Sequence, residues 1–184
     1  MKKLKDTKVL VAAALMASLT FVATVVLKFP TPAFGYVHIG DGFVLLSGLL
    51  LGPVTGGLSA GTGSMLSDLL GGYPAWAPGT FVIKFLTAMT ASAVFSVLKD
   101  RGNVKYKRFY TSLAGIAGEL VMIAGYFIYN IFMLMLVNSG ESRTAIYSAV
   151  TQSVAEIPFN LMQGMTGVIV CVVLYPLFRR DADF

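Results

Sequence analysis

A chain of 184 residues that is 56% hydrophobic and only 12% charged has too few charges to clothe a soluble globule. With a mean hydropathy of +0.76 it is expected to lie in a membrane. The net charge of +5 does not point to nucleic acid, because the basic residues fall in short segments beside apolar runs, where they orient helices in a bilayer. The single cysteine, Cys171, excludes an intrachain disulfide.

In chain order, the basic head MKKLKDTK precedes an apolar run from Val9 to Phe29. That run is long for a signal peptide and no small-residue cleavage site follows it, so a retained helix over about 8–29 is expected. Ala13 and Ala17 form a small-x-x-x-small pair on one face, suited either to internal packing or to docking a partner protein. Pro30, Pro32 and Gly35 then mark an external loop. The next apolar segment, over 41–52, is short for a span of roughly 20 residues and must be tilted or shielded by neighbours. Gly48, Gly52 and Gly56 recur at every fourth position with Pro53 among them, so one helix ends near Gly52 and another starts at Pro53 and runs to about 71. Its glycines imply close packing, since no Gly-Lys-Ser/Thr follows them to make a phosphate loop.

A second external loop, GGYPAWAPG, carries Tyr73 and Trp76 between prolines, as interfacial anchors or as a lid. A fourth helix over 78–98 holds Lys84 about 9 Å deep, free to snorkel or to pair with Glu156 or Asp68. The loop KDRGNVKYKR is the clearest cytoplasmic segment, and helices over 109–137 and 145–178 complete the chain. Six transmembrane helices in one all-α membrane domain, with both termini cytoplasmic, put eleven of the fourteen Lys and Arg residues inside, as the positive-inside rule requires. On the fifth helix Glu119, Tyr126 and Asn130 fall within about 40° of one another; on the sixth, Gln152, Glu156, Asn160 and Gln163 fall within about 80°. Such stripes face protein or a water-lined cavity, and Pro158 frees a backbone carbonyl beside Glu156.

The blocks YVHIGDGFVLLSGLLLGP (Tyr36 to Pro53) and SDLLGGYPAWAPGTFVIK (Ser67 to Lys84) resemble the substrate-binding S components of energy-coupling factor (ECF) transporters. The likeness is greatest to the riboflavin-type family, whose relatives include transporters assigned to hydroxymethylpyrimidine and pyridoxine. The resemblance implies a multi-pass protein of the bacterial cell membrane that captures a vitamin from outside and delivers it by reorienting. It also implies a transmembrane coupling subunit and two cytoplasmic ATPases as partners, with Ala13 and Ala17 at the docking face. No cofactor or metal is expected, His38 with Asp41 being too sparse a ligand set. The expected mechanism is binding without chemistry. His38, Tyr73 and Trp76 close over a heteroaromatic ring, Tyr126 stacks with them, and Asp68, Lys84, Glu119, Asn130, Glu156, Asn160 and Gln163 supply hydrogen bonds. His38 and Asp41 serve equally well as caps of the second helix. A proton-coupled secondary transporter using Glu119 and Glu156 is the competing reading, although no inverted repeat is visible. An intramembrane enzyme lacks any serine-histidine or histidine-metal constellation at depth.

Overall fold

A computed structural model of the chain describes residues 7–31, 36–101, 107–137 and 143–180. Pro32, Gly35, most of the basic head, residues 102–106 of the KDRGNVKYKR loop, and the 138–142 connection lie outside them. The described elements are α1 (Thr7–Val26), β1 (Lys28–Pro30), β2 (Tyr36–His38), α2 (Asp41–Leu51), α3 (Pro53–Leu70), α4 (Ala77–Arg101), α5 (Lys107–Val137) and α6 (Arg143–Arg180). Four of the helices, α1, α4, α5 and α6, are long and apolar enough to cross a membrane. Their outward faces carry residues such as Leu15, Leu120, Ile128 and Met165, each at least 59% exposed, as hydrocarbon-facing positions are.

One boundary differs materially from expectation. α1 stops at Val26 rather than running to 29, because Lys28, Phe29 and Pro30 pair antiparallel with His38, Val37 and Tyr36. The apolar Leu27 and Phe29 extend the hydropathy run into this hairpin without extending the helix. At its far end the hairpin delivers the chain into α2.

α2 is the core of the molecule. At 11 residues it is about 16 Å long, roughly half the hydrocarbon thickness, so it cannot satisfy the bilayer alone. Packing solves this by enclosure: α2 touches α1, α3, α4 and α6, and Val44, Leu45, Leu46 and Ser47 are wholly buried. Glycine permits the close approaches. A Cβ on Gly48 would lie 2.2 Å from the Ala88 carbonyl oxygen of α4, and one on Gly56 would lie 2.2 Å from the Ser47 carbonyl oxygen. The turn between α2 and α3 needs Gly52, whose φ of 87° L side chains rarely adopt, with Pro53 opening α3. Around Leu45 and Leu46 the core is completed by Ala91 and Phe95 of α4, Ala114 of α5, and Cys171 and Tyr175 of α6.

Candidate ligand-binding site

At one end of the bundle the hairpin, the 71–76 loop and the ends of α3 to α6 enclose a cavity of ≈ 480 Å³ of atom-free space, its mouth included. Tyr36 and His38 reach it from β2, Asp68 from the last turn of α3, Tyr73 and Trp76 from the loop, and Thr80 from α4. Tyr126 and Asn130 come from α5, and Glu156, Asn160 and Gln163 from α6. The α6 spacing of four then three residues explains that last trio, which recurs on one helical face.

The loop is a folded lid rather than a loose connection. Tyr73 N–H donates to the Asp68 carbonyl, and Trp76 N–H to that of Tyr73. Trp76 meets the Tyr129 ring edge-on at 5.5 Å, while the Tyr129 hydroxyl donates to the Ala75 carbonyl at 2.9 Å. Across the mouth the Lys28 ammonium lies 3.8 Å from the Tyr36 ring centroid and 4.1 Å from that of Tyr73, a cation clasped between hairpin and lid. Partial burial lowers the Lys28 pKa, against the opposing pull of Asp68. The Tyr36 hydroxyl donates to Asp68 Oδ1; burial, reinforced by the Asp68 charge, pushes its pKa up, so it remains a phenol. Asp68 borders the cavity, and its buried Oδ2 has no hydrogen-bond partner. The Tyr126 hydroxyl donates to Thr80 Oγ1 at 3.2 Å.

Directly beneath lies a buried bolt. Lys84 and Asp41, both 0% exposed, form an ion pair at 2.5 Å. The other Asp41 oxygen accepts from Gln163 Nε2 at 2.7 Å, and Gln163 Oε1 accepts the His38 backbone N–H at 3.1 Å. His38 Nδ1 accepts the Gly40 N–H at 3.0 Å. The chain of contacts ties α4, α2, α6 and the hairpin together, and each added bond offsets part of the cost of burying two charges. Burial drives the His38 pKa down to about 4, leaving a neutral ring able to accept that bond.

Of the residues expected at the ligand, His38, Asp68, Tyr73, Trp76, Tyr126, Asn130, Glu156, Asn160 and Gln163 border the cavity. Lys84 does not: instead of snorkelling, or pairing with Glu156 or Asp68, it is consumed by Asp41. Nor is Asp41 a cap, since Gly40 holds the N-cap position and makes no side-chain cap bond; the Asp41 carboxylate turns inward because a buried ammonium faces it. His38 does fix the junction, through its ring nitrogen. Glu119 does not border the cavity either: its carboxyl group packs against Gly164 and Gly167 beside Asp41, and the residue belongs to a separate groove between α5 and α6. Gln152 donates to Ser148 Oγ within its own helix. Ala13 and Ala17 are both half-buried, and the Ala17 carbonyl packs on α3, where a Cβ on Gly63 would come within 2.3 Å of it. Tyr36 and Thr80 were not anticipated; the only signal was their position inside the two conspicuous blocks. Among the described residues no three His, Cys, Asp or Glu side chains group as metal ligands.

The profile of the family described as "ECF-type riboflavin transporter, S component" matches residues 4–180. The chain belongs to this family. Membership makes it a multi-pass membrane transporter subunit of the substrate-binding kind, and not an enzyme. A protein of Pyrococcus woesei, described as "Uncharacterized protein in gap 3'region", is 33% identical over 137 residues, covering 74% of this chain and 85% of its own. A solved structure described as "Structure and mechanism of the S component of a bacterial ECF transporter" superposes with a TM-score of 0.67, covering 97% of this chain and 99% of its own. At 24% identity that likeness speaks for the fold.

Proposed function

We propose that this S component captures a water-soluble, heteroaromatic vitamin or precursor from outside the bacterial cell membrane. Hydroxymethylpyrimidine or pyridoxine is favoured, with riboflavin next. The carrying observation is the cavity under the aromatic lid: Tyr36, Tyr73, Trp76 and Tyr126 offer ring faces, while Asp68, Asn130, Glu156 and Asn160 offer polar groups. Among the described residues the lining is rich in carboxylate and amide acceptors, with the Lys28 ammonium only at the mouth, so it suits a ring bearing N–H and O–H donors. Gln163, with its amide committed at both ends, orients the floor. Lys84 acts through Asp41.

Delivery then requires a coupling subunit and two ATPases, with Ala13 and Ala17 on the docking helix, and six spans with both termini cytoplasmic. Native mass spectrometry of the purified protein, alone and mixed with pyridoxine, hydroxymethylpyrimidine, thiamine and riboflavin, tests the reading. One retained ring compound, lost in Trp76→Ala or Glu156→Ala, is the expected result. Failure of folded protein to bind any of them overturns the ligand class, and uptake that persists without ATPase partners favours a secondary transporter instead.

A further inference from the structure

His38 has one ring nitrogen that the fold uses and one that it does not. Pairing with Lys28 and the bond from the His38 backbone N–H to Gln163 Oε1 fix its backbone, while the Gly40 N–H donates to Nδ1 at 3.0 Å. Glycine lets the chain come so near the ring. A Cβ on Gly40 would stand 2.9 Å from His38 Nδ1 and 2.1 Å from Thr24 Oγ1. The Tyr36 ring flanks the imidazole at a centroid distance of 5.5 Å.

A nitrogen that accepts an N–H bond carries no proton of its own, so the single proton of the neutral ring sits on Nε2. Moving it to Nδ1 would set two N–H groups against each other, and turning the ring over would set a C–H against the Gly40 N–H. Either change leaves a buried donor unpaired, so the tautomer is locked. His38 borders the cavity and is 6% exposed. Among the described residues nothing hydrogen-bonds to Nε2, and it is not one of the sealed side-chain atoms that lack a partner. It therefore keeps contact with open space, and the open space that His38 borders is the cavity.

The rest of the lining makes that one proton selective. Asp68 and Glu156 offer carboxyl acceptors, the Asn130 and Asn160 amides can turn either end inward, and the Tyr36 and Tyr126 hydroxyl protons go to Asp68 and Thr80. Among the described lining residues the donors with no acceptor alternative are the Trp76 indole N–H in the lid and His38 Nε2–H. We infer that His38 Nε2–H is a specificity-determining donor, to which the captured ring must present a lone pair from an unprotonated ring nitrogen or a ring carbonyl. This rests on the cavity being the vitamin site. A ring that turns an N–H or C–H toward Nε2 leaves the imidazole proton unpaired and binds about tenfold more weakly, the factor of one hydrogen bond.

Because His38 is the only histidine, nitrogen NMR of histidine-labelled protein in detergent reads a single ring. At neutral pH it should show a bare Nδ1 and a protonated Nε2. Saturation with whichever of pyridoxine, hydroxymethylpyrimidine, thiamine and riboflavin binds should then move the Nε2 proton downfield and slow its exchange with water. A proton on Nδ1, or an Nε2 signal unmoved by bound ligand, overturns the inference. Two variants separate the nitrogens, since an asparagine amide reaches the Nδ1 position and a glutamine amide the Nε2 position. His38→Asn should melt as the unmodified protein does and lose about tenfold in affinity by calorimetry, whereas His38→Gln should melt lower yet recover most of that loss. Full affinity in His38→Asn, or equal losses in both variants, also overturns the inference. Failure of all four probes to bind would defeat the vitamin reading and this inference together, while binding without the Nε2 response defeats this inference alone.

Discussion

At the scale of single residues, the Asp41–Lys84 pair carries the most consequence for the least surface. Lys84→Met strands a buried carboxylate, a change that costs about 3–5 kcal/mol and lowers the melting temperature on the order of 10 °C. Combining it with Asp41→Asn removes the stranded charge, so the double variant should melt above Lys84→Met alone. Strict additivity of the two single losses, measured by thermal melting in detergent, would show that the pair is not coupled. His38 yields a pH prediction. Its pKa in the fold is about 4 against about 6.5 unfolded, so between these values the unfolded chain binds more protons and stability falls as pH falls. The full loss approaches roughly 3 kcal/mol, and His38→Asn should flatten the melting curve between pH 7 and pH 4.5. An unchanged slope in that variant rules His38 out as the titrating group. Sequence alone marked Lys84, Asp41 and His38 as polar residues among apolar ones, yet it offered Lys84 to Glu156 or Asp68 and made Asp41 a cap, while His38 does fix its junction. Residues 41 and 84 meet only because α2 is buried against α4, and no local spacing records a contact between them.

The elements were legible in proportion to their length. Helices over roughly 20 apolar residues announced themselves, and the glycine series with Pro53 located the break between α2 and α3. The β1–β2 hairpin was invisible, because strands of three residues are too short to show alternation and Pro30 reads as loop. At the cavity end of the bundle the stripe rule places Tyr126, Asn130, Glu156 and Asn160 on the cavity wall. Glu119, on the same face of α5 but two turns deeper than Tyr126, is buried in protein as the rule requires yet does not border the cavity. The lid makes a prediction at this scale. A Cβ on Gly79 would lie 2.3 Å from the Tyr129 ring, so Gly79→Ala must displace Tyr129 and with it the contacts to Ala75 and Trp76. Ligand affinity, read by titration calorimetry, should drop about tenfold, the equivalent of about 1.4 kcal/mol, while melting of the ligand-free protein changes little. Unchanged affinity would show that the lid does not shape the site.

For the whole molecule, the decisive question is which way the cavity opens. α4 connects the lid to the basic loop in 25 residues, about 37 Å of helix, enough to cross a hydrocarbon core of about 30 Å with its ends in opposite compartments. By the positive-inside rule the basic residues gathered after α4 favour a cytoplasmic end there and an external lid, which is the orientation the proposed function requires. Because Cys171 is the only cysteine and is buried, its replacement by alanine gives a background for single reporters at exposed sites, one in the lid just before α4 and one near its far end. In intact cells a membrane-impermeant maleimide should modify Ala75→Cys at once and Lys99→Cys only after permeabilisation. The reverse pattern would turn the cavity toward the cytoplasm and leave an uptake subunit with no route to its ligand. Modification of both from outside would mean that α4 does not cross. That would break the link between the enclosed α2, the lid and the bilayer on which the proposed function depends.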